Sequence, residues 1–206
     1  TYAGDSSSVS DQLNNGVSQV FATYKNYYGG AFAALKENGS VVTWGAGYSG
    51  GDSSAVSSSL TSGVSNIFST ARAFAALKDD GSVVTWGYNT WGGDSSRVST
   101  SLASGVVHVV SNFFAFAALK DDGSVVTWGD SAFGGDSNSV SNQLNSGVKK
   151  IFSTNRDLYG AAFAALKDDG SVVTWGGSSY GADSSSVASE LAGGIIKVFS
   201  SPRVFL

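Results

Sequence analysis

The chain has 206 residues, 42% of them hydrophobic and 12% aromatic, with 27 glycines, one proline and no cysteine or methionine. That make-up fits a folded, core-forming chain of many short strands and tight turns, and it excludes disulfides, thiol catalysis and cysteine-based metal sites. Twelve Lys and Arg stand against 16 Asp and Glu, a scattered net charge of -4, so no basic stripe follows a phosphate backbone and no nucleic-acid partner is expected.

No stretch approaches the ~18 apolar residues of a membrane span. The amino end, Thr1-Tyr-Ala-Gly-Asp5, carries neither an initiator Met nor a signal peptide, which leads us to expect a processed chain or one excised from a longer protein.

In chain order the first element is the block 5–16, with Asp5 at its start, Val9 and Leu13 four apart and Gly16 at its end. That pattern predicts a capped turn or two of helix with a glycine stop. A serine-rich helix of this kind is intrinsically weak and needs tertiary support. A short apolar run from Val17 predicts a strand. Residues 24–30 form a linker, and Ala31 to Lys36 a second strand. At the Asn38-Gly39 turn glycine supplies the positive φ of a tight hairpin, and Val41 to Trp44 forms a third strand.

The same order then recurs. The block returns at 52–63, 94–105, 136–147 and 183–194, and Ala-Phe-Ala-Ala-Leu-Lys returns at Ala73, Ala115 and Ala162. Trp44, Trp86, Trp128 and Trp175 follow at spacings of 42, 42 and 47 residues. The chain is therefore an array of one supersecondary unit. We divide it as a single repeat domain, residues 1–206, with units at about 1–49, 50–91, 92–133 and 134–180 and a partial fifth at 181–206. Phe74 and Ala76 alternate with Ala75 and Leu77, so both faces of each sheet are apolar and must be covered by neighbouring units. Four complete units and a partial one leave closure open between an irregular ring, an open edge that a partner or neighbouring copy covers, and a segment of a longer array.

The Asp80-Gly81 hairpin followed by Trp86-Gly87, four variable residues and a Gly pair resembles the RCC1-like repeat. So does the aromatic before that pair: Trp91, Phe133, Tyr180 and, at the start, Tyr2. Ser49 breaks this series, with Tyr48 beside it. The resemblance covers nearly the whole chain and implies an all-β fold of β-propeller blades, each with a short helical turn, in a family whose members typically close with seven blades. Two departures stand out. Ala31, Ala73, Ala115 and Ala162 occupy the place where the family often carries His, and Gly-Gly-Asp-Ser replaces its Gly-Gln-Leu-Gly. The exchange and chromatin functions of particular members do not transfer with the fold.

Several patterns invite chemical readings. Asp5, Asp52, Asp94, Asp136 and Asp183 could be a series of Ca²⁺ ligands, but a lone carboxylate before Ser-Ser fits a cap, so no metal is expected. The pairs Asp79-Asp80, Asp121-Asp122 and Asp168-Asp169 lie in hairpin turns, where turn chemistry accounts for them. The repeated tryptophans could stack sugars, yet strict repetition at a strand end points to packing between blades. His108 is the single histidine and has no visible nucleophile partner. Asn38-Gly39-Ser40 is a glycosylation sequon that the hairpin explains equally well.

What varies between copies is more informative, because a repeat scaffold keeps its framework uniform and leaves one set of loops free to recognise. The linker between the first two strands is Ala71-Arg72 in one unit and Phe113-Phe114 in the next. It carries five extra residues in the first and fourth units, giving Tyr24-Lys-Asn-Tyr-Tyr-Gly-Gly30 and Asn155-Arg-Asp-Leu-Tyr-Gly-Ala161. The candidate partner-binding residues are Tyr24, Lys25, Tyr27, Tyr28, Arg72, Phe113, Asn155, Arg156 and Tyr159, of types common at interface hot spots. The sequence reading is a non-enzymatic binding or scaffolding module for a protein partner, with no cofactor. A glycan-binding propeller is the alternative, and a carboxylate-only hydrolase has no supporting spacing.

Overall fold

The computed structural model describes residues 4–23, 29–154, 160–201 and 204–205. Its strands form four three-stranded antiparallel sheets, each in chain order. They are β1 (Val17–Ala22), β2 (Ala31–Lys36) and β3 (Val41–Gly45); β4 (Val64–Ser69), β5 (Ala73–Lys78) and β6 (Val83–Gly87); β7 (Val106–Ser111), β8 (Ala115–Lys120) and β9 (Val125–Gly129); and β10 (Val148–Ser153), β11 (Ala162–Lys167) and β12 (Val172–Gly176). The fold is all-β, with one blade per repeat, as the sequence pattern requires.

The chain falls into two compact units, residues 1–104 and 105–206, with two blades in each. Neighbour-only contact makes such a division natural in a repeat array. The boundary leaves the block 94–104 with the blade before it. Thr85 Oγ1 donates to Gly93 O at 3.1 Å, and Val83 N to Leu102 O at 2.9 Å.

The predicted helical block is mostly 3₁₀ turn: Ser54–Leu60, Ser96–Val98 and Ser185–Val187 are wholly so, while Ser10–Leu13 and Ser141–Leu144 add one α turn each. Serine-rich sequence cannot sustain a longer helix without packing. The leucine supplies that packing, since Leu60, Leu102 and Leu144 are buried.

Inside the first unit the two blades meet face to face. Ala31, Ala33 and Leu35 lie on one face of β2, and onto them pack Phe74, Ala76 and Trp86 of the second blade with Val64, Ile67 and Leu60. The second unit repeats the joint, with Ala115 and Ala117 against Phe163, Ala165 and Trp175. Alanine on one side leaves room for the ring on the other, so the sequence Ala-Phe-Ala-Ala-Leu encodes both halves of the joint in one strand.

Each Phe also stacks on the tryptophan across its own hairpin: Phe74 on Trp86 at 5.3 Å and Phe163 on Trp175 at 5.4 Å. The indole then reaches the preceding blade. Trp86 Nε1 donates to Gly50 O at 3.0 Å, and Trp175 Nε1 to Gly134 O at 3.2 Å. These glycines hold φ of +97° and +98°, and a Cβ on either would lie 2.6 Å from the Phe ring. A second seam lies at the other end of the blades, where Val64 N donates to Gly39 O at 3.0 Å and Val148 N to Gly123 O at 2.9 Å.

The first blade has no preceding blade within its unit. Val20 is 51% exposed, whereas Ile67 and Ile151, each in the second blade of its unit, are buried. After the fourth blade the repeat resumes: Ser200 bridges Phe205, as Ser153 pairs with Phe163, and the Phe205 ring lies against Gly181.

Gly50→Ala should cost at least about 2 kcal/mol, because it adds both left-handed strain and a clash with Phe74. Denaturant unfolding checks this, with Ser58→Ala, at an exposed turn position, expected to change stability by less than about 0.5 kcal/mol.

Candidate functional site

The variable linkers all spring from one kind of base. Ala31 N donates to Thr23 Oγ1 at 2.8 Å and Thr23 N to Ala31 O at 3.0 Å. Thr154 clamps Ala162 at the same two distances, and Thr70 does the same with Ala73 at 3.0 and 2.9 Å. Asn112 replaces threonine in the third blade, its Oδ1 accepting from Ala115 N at 2.8 Å. The clamp has the same form whether two residues or seven lie between its ends.

The clamp residue also ties down the loop between the Trp-Gly and the Gly pair. Thr70 Oγ1 donates to Trp91 O at 2.9 Å, Asn112 Nδ2 to Phe133 O at 2.8 Å and Thr154 Oγ1 to Tyr180 O at 3.3 Å. In the first blade Ser49 Oγ, fully buried, donates to Gly29 O at 2.9 Å. Both sets of variable residues therefore share one end of each blade, and that end is the candidate site.

Of the residues singled out by sequence, Tyr24, Lys25, Tyr27, Tyr28, Asn155, Arg156 and Tyr159 lie outside the described residues. Arg72 and Phe113, placed among partner-contacting residues by the sequence reading, are 8% and 6% exposed. Arg72 lays its guanidinium over Tyr88, 4.2 Å from the ring centre, and 5.3 Å from that of Trp91. Phe113 packs at 5.1 Å on Phe114, which stacks on Phe133 at 4.3 Å. In both short linkers the variable pair fills the space beside the aromatic that precedes the Gly pair.

The repeated aspartates act locally. Asp5, Asp52, Asp94, Asp136 and Asp183 each accept from the backbone N–H two residues on, at 2.8 to 3.1 Å. That is an Asx turn just ahead of the 3₁₀ turn, not a side-chain cap on the helix itself. Among the described residues no three acidic or His side chains cluster as metal ligands. Asp80, Asp122 and Asp169 each accept from the hydroxyl and the N–H of the Ser two residues on, at 2.6 and 2.9 Å. These bonds hold their carboxyls below the ordinary range. Asn38 makes the same pair of bonds in the first blade with an uncharged amide.

Trp86, Trp128 and Trp175 are buried, and Trp86 and Trp175 reach the preceding blade of their own unit. His108 sits on edge strand β7 at a bulge that recurs in all four sheets. Burial, and then the charge of Lys150, push its pKa down. Among the described residues no helix is long and apolar enough to cross a membrane.

The repeat and the three-stranded blade together resemble RCC1-like β-propeller repeats. Structural comparison finds Prp20p of Saccharomyces cerevisiae, described with its binding to Gsp1p and histones, at 20% identity and a TM-score of 0.46, over 73% of this chain and 43% of that one. Human WBSCR16 is similar at 19% identity and a TM-score of 0.43, over 78% and 47%. Yeast RCC1 (Prp20) bound to Kap60 matches at 20% identity and 0.42, over 71% and 41%. The chain thus spans less than half the length of each. No family model matches it, and no curated protein does.

Replacing Asp80, Asp122 and Asp169 by Asn should flatten the acid limb of stability. A carboxyl with a lower pKa folded than unfolded stabilises above its unfolded value, about 3.9, and that contribution is lost as pH falls through the folded value. Thermal melts from neutral pH downward test it: the triple variant should match the parent at neutral pH and lose less on acidification.

Proposed function

We propose that the chain is a non-enzymatic binding module that recognises a protein partner through the two seven-residue loops, 24–30 and 155–161. The observation that carries this reading is the loop base. A rigid clamp of the same form closes loops of two and seven residues alike, so the framework tolerates length change at this one point without disturbing the sheets. Tyr, Arg and Asn in the long loops supply amphipathic surface at low ordering cost. Arg72 and Phe113 pack beside the short loops, so the proposal rests on the long ones.

The absence of catalysis belongs to the same proposal. The repeated carboxylates Asp5, Asp52, Asp94, Asp136, Asp183, Asp80, Asp122 and Asp169 sit in turns, bonded to nearby backbone, and His108 lies on edge strand β7.

The test is capture of protein partners from the native source by the full chain, with identification by mass spectrometry. The variant Tyr27→Ala, Tyr28→Ala, Arg156→Ala, Tyr159→Ala should lose the captured partner while its Tm shifts by no more than about 2 °C. Unchanged capture by this variant would remove the loops from the interface.

A further inference from the structure

In the first unit two loops of the same form face a common cleft of about 700 Å³, lined by Tyr48, Asp52, Tyr88, Asn89 and Thr90 with Gly47 and Gly87. That volume lies within the range of small-ligand sites. The walls are set by backbone bonds: Gly51 N donates to Ala46 O at 2.9 Å, Gly93 N to Tyr88 O at 2.9 Å and Tyr88 N to Arg72 O at 2.8 Å.

The two tyrosines differ in how they are held. Tyr88 is pinned, with Arg72 over its ring and Trp91 edge-on at 5.7 Å and 83°. Tyr48 is 77% exposed, the largest exposure among the aromatic side chains described. A ring so exposed buries little apolar area and so adds little to the stability of the fold.

The repeat provides an internal comparison. Where this cleft has Tyr48 and Tyr88, the blades of the second unit have Ala132 and Ser179 at the first position and Asp130 and Gly177 at the second. Backbone and clamp are common to all blades, so the aromatic pair is an addition to the scaffold and not a part of it.

The chemistry of the lining restricts the ligand. Among the described residues that line the cleft there is no Lys or Arg, since Arg72 lies behind the Tyr88 ring, so an anion finds no counter-charge. Asp52 is the lone ionised group, and one of its oxygens already accepts from Ser54 N at 2.9 Å. What remains is flat apolar surface beside neutral donors and acceptors: two phenol rings, the Asn89 amide and the Thr90 hydroxyl. A sugar ring presents that complement, an apolar C–H face with a rim of hydroxyls.

We propose that this cleft is a binding site for a neutral saccharide, with Tyr48 and Tyr88 as stacking platforms and Asn89, Thr90 and Asp52 as hydroxyl partners. None of the lining residues belongs to 24–30 or 155–161, so the proposal does not rest on those loops engaging a protein.

The full chain is titrated with short neutral cello-, malto-, manno- and chito-oligosaccharides, read by saturation-transfer NMR and calorimetry. At least one series should bind, and Tyr48→Ala should weaken it about threefold to tenfold while leaving Tm unchanged. Asn89→Ala, also at an exposed position, should weaken the same series. Silence across the panel overturns the proposal, and so does binding that both variants leave intact. Uncharged peptides serve as the competing class: if they bind in a Tyr48-dependent way and no sugar does, the cleft is a peptide site and the saccharide proposal fails.

Discussion

The contact on which the rest depends is the seat of one blade's Phe and Trp on the preceding blade's alanine face and Gly pair. Phe74 has no exposed surface, Trp86 donates into the carbonyl of Gly50, and Ala31 and Ala33 leave the room that the rings occupy. A three-stranded sheet with two apolar faces is not stable alone, so this joint is both the tertiary contact and the condition for the secondary structure. It explains why the Ala-Phe-Ala-Ala-Leu strand and the Trp-Gly that follows vary so little between copies. Within each unit the first blade is the seat and the second the occupant, and one repeated strand sequence serves both.

Function has to be placed where that constraint does not reach. The hydrogen-bonded base at Thr23, Thr70, Asn112 and Thr154 isolates whatever lies beyond it from the packed sheets. The same holds for the middle of the loop before each Gly pair, where Tyr48, Thr90, Ala132 and Ser179 occupy one position without disturbing the glycines around them. Both kinds of freedom lie at one end of the blade, because the clamp side chains bond the two loops together. The opposite ends carry the hairpin turns, tied to the next block through glycine contacts that admit no side chain.

Much of the fold was legible from the sequence. Period 2 in the strands, Asp-Gly and Asn-Gly at the hairpins and the recurrence of the tryptophan specify three short strands per unit, apolar on both faces. The aspartates were legible in kind, as turn and cap residues, because an isolated carboxylate beside Ser has few other uses. The short helical turn was legible too, from Val and Leu four apart, and the serine-rich block holds it mainly in 3₁₀ geometry on one buried leucine. Arg72 and Phe113 are buried, which the sequence does not reveal. Variability between copies does not distinguish a side chain offered to a partner from one that fills a gap beside a changing neighbour, and Arg72 with Trp91, like Phe114 with Phe133, is of the second kind.

The sequence by itself determined the unit, its strands and turns and the division into uniform framework and variable loops, since these follow from local periodicity and from repetition. Only the tertiary structure decided which variable residues are buried and which are open. Tyr48 and Tyr88 lie 40 residues apart in the chain, in copies of the same loop. They line one cleft because the Phe and Trp joint sets the first two blades side by side, and no local pattern encodes that distance.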